Sequence, residues 1–232
     1  HYDTVSAFIK SLRGNDPDAA LYWLAAMIAA GEDPKFIARR LIISASEDVG
    51  NADPRALQVA VAAGHALDWI GLPEAQYALA QATTYIATAP KSNRSGSAYW
   101  AAVSDVEASG ALPVPLHLRN APHRRMQQHG IGVGYRYSHD YEGADVEQQY
   151  LPDAIVARRY YLPTDQGYEA TIAARMTARA EARAAAKAAG RTPKSHIPGP
   201  EIGKGAGGGI MKTREESRKK LAETERRDAS EP

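Results

Sequence analysis

The chain has 232 residues, 28 lysines and arginines against 27 aspartates and glutamates, a net charge of +1 and no cysteine. This excludes a disulfide framework and a thiolate metal site, fits a reducing compartment, and leaves enough length for one or two domains with a sizeable core. The near-neutral total conceals a division: residues 1–167 carry 14 basic and 18 acidic side chains, a net of −4, whereas residues 168–232 carry 14 and 9, a net of +5.

In the first half, Gly14, Gly31, Gly50 and Gly71 each follow an apolar-periodic segment, as expected of residues that leave a helix through a left-handed conformation. Asp16-Pro17, Asp33-Pro34 and Asp53-Pro54 then offer a capping carboxylate followed by a proline whose missing N–H costs nothing in a first turn, and Leu72-Pro73-Glu74 opens a segment similarly. The punctuation predicts helices near 3–13, 17–30, 34–48, 54–70 and 73–88, with a sixth at 95–108, joined by turns short enough to force consecutive helices together. Leu57, Val61 and Leu67 with Ala60 and Gly64, and Ile37, Leu41 and Ile42, share faces at helical spacing. The expected fold class is all-α, with residues 1–110 as a compact helical bundle.

From 111 to 168 the texture changes. Prolines stand at 113, 115, 122, 152 and 163, and tyrosines crowd 135–161, so an irregular extension packed on the bundle is expected, with one short helix near 121–129. Tyr135, Tyr137, Tyr141, Tyr150, Tyr160 and Tyr161 can cover helix faces with their hydroxyls near polar partners. Beside Arg136, Arg158 and Arg159 they also have the makings of a stacking platform for unpaired bases. Residues 169–189 are rich in alanine and arginine, with high helix propensity and little to bury, which predicts a projecting helix. Residues 190–232 read as a disordered basic tail.

Several polar groups are candidates for chemistry. Glu47 and Asp48 fall in the last turn of a predicted helix, where the macrodipole disfavours anions, so compensation is expected from Arg39, Arg40 or Arg55. The readings are a structural network of these residues with Asn51 and Asp53, a contact with another protomer or module, or a paired acid–base site. The last is disfavoured because adjacent helical side chains diverge. Lys91-Ser92-Asn93 lies between two predicted helices, suited to a cap or to a phosphate contact. Arg119, Arg124 and Arg125 flank Pro122 and, with Arg158 and Arg159, are solvated or ion-paired arginines or contacts to a nucleic-acid backbone.

Other patterns fail on their own requirements. Pro198-Gly199-Pro200-Glu201-Ile202-Gly203-Lys204-Gly205 imitates a phosphate loop but lacks its first glycine and its hydroxyl, and Gly130-Ile131-Gly132-Val133-Gly134 lacks the last glycine of a dinucleotide fingerprint. His117, His123, His129 and His139 show no zinc-ligand spacing. No catalytic residue, cofactor site or metal site is expected, and no apolar run approaches bilayer length.

Four polar strings carry a resemblance: Ser46-Glu47-Asp48-Val49-Gly50-Asn51-Ala52-Asp53-Pro54, Ala89-Pro90-Lys91-Ser92-Asn93, His117-Leu118-Arg119-Asn120-Ala121-Pro122, and Arg158-Arg159-Tyr160-Tyr161-Leu162-Pro163-Thr164-Asp165-Gln166-Gly167. In this order they resemble the C-terminal region of the RarA/MgsA family, bacterial ATPases of replication and recombination, over roughly residues 1–168. The resemblance implies a clamp-loader-collar-like helical bundle that oligomerises, generally as a tetramer, in a machine acting at stalled forks and DNA ends. It implies a cytoplasmic, nucleoid-associated protein. The implied partners are DNA, single-stranded or at fork ends, and a single-strand binding protein or replicative helicase. ATP and magnesium would belong to a nucleotide-binding module that this sequence lacks. Two alternatives are a docking module for another replication protein and a small hydrolase using Glu47, Asp48, Lys91, Arg119 and His139.

Overall fold

A computed structural model describes residues 2–190, and every element is helical: α1 (Tyr2–Arg13), α2 (Pro17–Ala29), α3 (Pro34–Ser44), α4 (Arg55–Ile70), α5 (Ala75–Thr88), α6 (Arg94–Ser109), α7 (Arg124–Gln128) and α8 (Tyr168–Ala188). The expected tail, and the string from Pro198 to Gly205, lie beyond the described residues. No strand occurs among the described residues, and the fold class is all-α.

The helix starts follow from the Asp-Pro pairs. The Asp16 carboxylate accepts from Ala19 N at 2.9 Å, Asp33 from Lys35 N at 2.9 Å and Asp53 from Arg55 N at 3.1 Å, so each pair ends one segment and caps the next. At the exits, Gly31, Gly50 and Gly71 have positive φ as expected. Gly14 does not. There the left-handed residue is Asn15 (φ 61), whose short polar side chain tolerates that region.

The described residues form two compact units, one of residues up to 110 with 159–181, the other of 111–158 with the remainder of α8. In the first, α5 is central, packing against α1, α2, α3 and α4 through buried Ala75, Leu79, Ala82, Ile86 and Ala87. The face α4 offers it is Ala56, Ala60, Ala63 and Leu67. Leu57, expected on that face, is 41 % exposed. Three of the four buried positions of α4 are alanines, with Leu67 the large side chain among them.

The predicted helix at 34–48 is α3 followed by a wider π turn, Ala45–Val49, and a 3₁₀ turn, Gly50–Ala52. Such turns occur mostly as single insertions, frequently at functional sites. Here the turn buries Ala45, Asp48 and Val49.

The second unit contains α7 and four short 3₁₀ turns, consistent with the irregular extension the prolines suggest. Its Gly130, Gly132 and Gly134 all have positive φ, and a Cβ on Gly132 would sit 3.0 Å from the Arg119 carbonyl oxygen. This glycine repeat is a tight turn.

Candidate functional site

The polar centre of the first unit is Glu169, in the first turn of α8, with no solvent exposure. Its Oε2 accepts from Ser92 Oγ at 2.7 Å, Thr164 N at 2.9 Å and Thr164 Oγ1 at 2.7 Å, and its Oε1 accepts from Tyr161 OH at 2.9 Å. Burial opposes the charge, but the Thr164 amide and hydroxyl and the Ser92 and Tyr161 hydroxyls outweigh it, and the carboxyl is held below its ordinary range. Burial, countered by Asn51 and reinforced by Glu169, pushes the Tyr161 phenol up. Asn51 Nδ2 donates to Tyr161 OH at 3.1 Å and to Ser95 Oγ at 3.1 Å, extending the network to the start of α6.

Three of the four polar strings therefore meet here. The 46–54 string supplies Asn51, the 89–93 string Ser92, and the 158–167 string Tyr161 and Thr164. Two glycines make the approach possible. A Cβ on Gly50 would lie 2.8 Å from Ser92 O, and one on Gly167 would collide with the Ala52 carbonyl oxygen. Ser92 N donates to Asp48 O at 2.8 Å, and Ser92 Oγ accepts from Arg94 N, the first residue of α6, at 3.3 Å.

Around this knot the charges are paired locally. Asp48, 7 % exposed, accepts from Arg13 Nε at 2.6 Å, and Glu47 lies 3.5 Å from Arg13 Nη2. The compensating cation is thus Arg13. Of the arginines expected there, Arg39 is held by Asp33 at 3.4 Å at the start of its own helix, and Arg55 pairs with Asp53 at 3.1 Å. Arg40 is half-buried, its Nε without a partner among the described residues. Asp53 also accepts from Tyr85 OH at 2.7 Å. Burial raises its carboxyl, but the bonds from Arg55 and Tyr85 prevail and hold it low.

Lys91 resolves into a cap. Its Nζ donates to Asn15 Oδ1 at 2.6 Å, Ala89 O at 2.7 Å and Ile86 O at 2.8 Å, with Ala87 O at 3.4 Å. An ammonium has three protons, and these acceptors, three of them at the carboxyl end of α5, take them all, so none faces a phosphate. Burial pushes its pKa down, and Asp48 partly offsets this. Lys91→Met is expected to lower stability to chemical denaturant by about 2 kcal/mol, because buried carbonyls lose a charged donor. An unchanged midpoint would return Lys91 to solvent.

Glu169 and Asp53 are held by fixed donors and a paired cation, and Asp48 by Arg13 through one oxygen while its Oδ2 has no partner among the described residues, an arrangement suited to holding chain segments together. A family model described as MgsA AAA+ ATPase C terminal matches residues 14–180. The chain belongs to this family. It is 56 % identical over 176 residues to an uncharacterized AAA domain-containing protein of Mycobacterium tuberculosis, covering 76 % of this chain and 39 % of that protein. It is 49 % identical over 176 residues to replication-associated recombination protein A of Escherichia coli K12, covering 75 % and 39 %, and 43 % identical over 167 residues to that of Bacillus subtilis, covering 72 % and 39 %. The chain spans about two-fifths of the length of these relatives.

In this MgsA C-terminal chain the remaining basic candidates lie elsewhere. Arg119 is exposed and its Nε donates to Val114 O at 2.7 Å; Arg125 is exposed on α7, which Arg124 opens; Arg158 and Arg159 are exposed. Arg119 and His139 belong to the second unit, whereas Glu47, Asp48 and Lys91 belong to the first. Sequence reasoning missed Glu169 and Arg13. The available signal for Glu169 was a lone acidic residue opening an alanine-rich helix directly after a string already marked as unusual.

Proposed function

We propose that this chain is the self-assembly and DNA- or partner-engaging region of a replication-recombination AAA+ ATPase, assembling as a tetramer, with ATP and magnesium used by a nucleotide-binding module outside it. Stalled forks and DNA ends in the cytoplasmic nucleoid are its place of action. The observation that carries the reading is α6. Among the described residues none of the 16 in this helix is fully buried, and Tyr99, Trp100 and Val106 are 63 %, 67 % and 60 % exposed. A helix that presents two large aromatics and has no fully buried residue among the described residues is suited to completion by another copy.

Light scattering coupled to size exclusion tests this. The wild-type chain is expected to run as a tetramer, and Trp100→Glu, an exposed position, to shift it to monomer with unchanged helical circular dichroism. A monomer at every concentration overturns the self-assembly reading. A second reading is docking of a single-strand binding protein or helicase, supported by the helix ends that flank the α4–α5 turn, where Trp69 of α4 is 91 % and Tyr77 of α5 83 % exposed.

A further inference from the structure

Five of the six tyrosines of the 135–161 segment, all but Tyr141, fall into two groups. Tyr160 OH donates to Asp105 at 2.7 Å and Tyr161 OH to Glu169, so both are committed to carboxylates inside the first unit. Tyr135, Tyr137 and Tyr150 belong to the second unit and are 47 %, 53 % and 52 % exposed.

Their setting is held by one amide. Gln148 Oε1 accepts from Arg136 N at 3.1 Å, while its Nε2 donates to Arg136 O at 3.0 Å and to Tyr150 OH at 2.8 Å. With both main-chain groups of Arg136 held and Tyr137 extended (φ −76, ψ 117), alternation along an extended chain puts Tyr135 and Tyr137 on one face. Two extended residues separate such side chains by about 6.6 Å. That is close to twice the roughly 3.4 Å rise of stacked nucleotides, so one base fits between two rings at this spacing. The His139 ring lies beside Tyr137, its centroid 5.2 Å away and its plane tilted by 51°. Arg136 is exposed and forms no ion pair with a carboxylate among the described residues. The nearby Asp145 is taken by Arg183.

We infer that Tyr135, Tyr137 and Tyr150, fixed by Gln148 and accompanied by Arg136, form a platform on which the unpaired bases of a single-stranded nucleic acid stack. The occupant follows from the pairing of ring faces with a guanidinium that donates to Glu147 O and has no carboxylate partner among the described residues. Every base offers a π-face and every nucleotide an anion, whereas an apolar protein surface would leave Arg136 unanswered. The inference rests on the DNA-engaging part of the proposed function and assigns it a surface.

The test is fluorescence anisotropy of the full chain with three labelled probes, an oligothymidylate, an abasic strand of the same length and a duplex, titrated over a range of salt. Combining Tyr135→Ala with Tyr137→Ala is expected to weaken oligothymidylate binding at least about fivefold for each ring lost. Binding of the abasic strand and the slope of log affinity against log salt should stay as in wild type, because no phosphate contact is removed. Tyr135→Phe with Tyr137→Phe, which keeps the rings, should bind as wild type and guards against misfolding. Oligothymidylate binding that survives the alanine pair overturns the platform and leaves DNA engagement standing on charge alone. Equal losses on the abasic strand, or loss with the phenylalanine pair, likewise overturn it. No binding of any probe removes the platform and the DNA-engaging reading together.

Discussion

Glu169→Ala is expected to destabilise the first unit by about 3 kcal/mol or more, because it strands several donors at once in a site closed to water. Ser92 and Tyr161 can rotate their hydroxyls toward other acceptors, but the Thr164 N–H is fixed by the backbone and points at Oε2 from 2.9 Å. Glu169→Gln should cost less, since one amide oxygen still serves that N–H. The effect has a pH signature of known sign. The folded carboxyl lies below its ordinary value, so its contribution is complete above the unfolded carboxylate pKa of about 4.3 and is lost as pH falls through the folded value. Denaturant titrations of wild type and Glu169→Ala should differ most near neutrality, with the gap narrowing in acid to what the neutral carboxyl still contributes as an acceptor. Asp53 is also held low, but it is present in both proteins and cancels from the difference. A gap that stays constant down to acid pH would sink the buried-carboxylate account.

What the sequence made legible here was local. An Asp-Pro pair acts within three residues, so the starts of α2, α3 and α4 could be read from the chain, and alanine-rich periodicity announced the bundle. The interior of α4 was misjudged for a reason that is not local. Leu57 is more hydrophobic than Ala56 or Ala60, but the placement of the neighbouring helices α3 and α5, set by the tertiary fold, decides which face is buried. The polar strings were visible as unusual composition, and three of the four do converge. Their meaning was hidden because the decisive partners are distant in sequence: Ser92 and Glu169 are 77 residues apart, Arg13 and Asp48 are 35. Local charge reasoning reached for Arg39 and Arg55, which Asp33 and Asp53 had already engaged. The fourth string, with Arg119, lies in the other unit and takes no part in this network.

Gly167→Ala is the sharpest test that these strings were shaped to meet. Gly167 has φ +52, a region that costs an alanine about 1–2 kcal/mol. The added Cβ would also collide with the Ala52 carbonyl oxygen and stand 2.7 Å from Pro90 Cγ, neither of which is a flexible side-chain end. Relieving that overlap means lifting the 159–167 segment from the 46–54 and 89–93 strings, adding about 1–3 kcal/mol. Gly110→Ala supplies the control, because Gly110 has φ +68 with nothing within 4 Å of its ideal Cβ and should show the backbone cost alone. Gly167→Ala is therefore expected to lose distinctly more stability than Gly110→Ala; equal losses would mean that the close approach contributes nothing. Displacing the segment also moves Thr164 and Tyr161 away from Glu169, so Gly167→Ala and Glu169→Ala break the same contacts. Their combined effect should fall short of the sum by at least about 0.5 kcal/mol, whereas Gly110→Ala should add to Glu169→Ala without coupling.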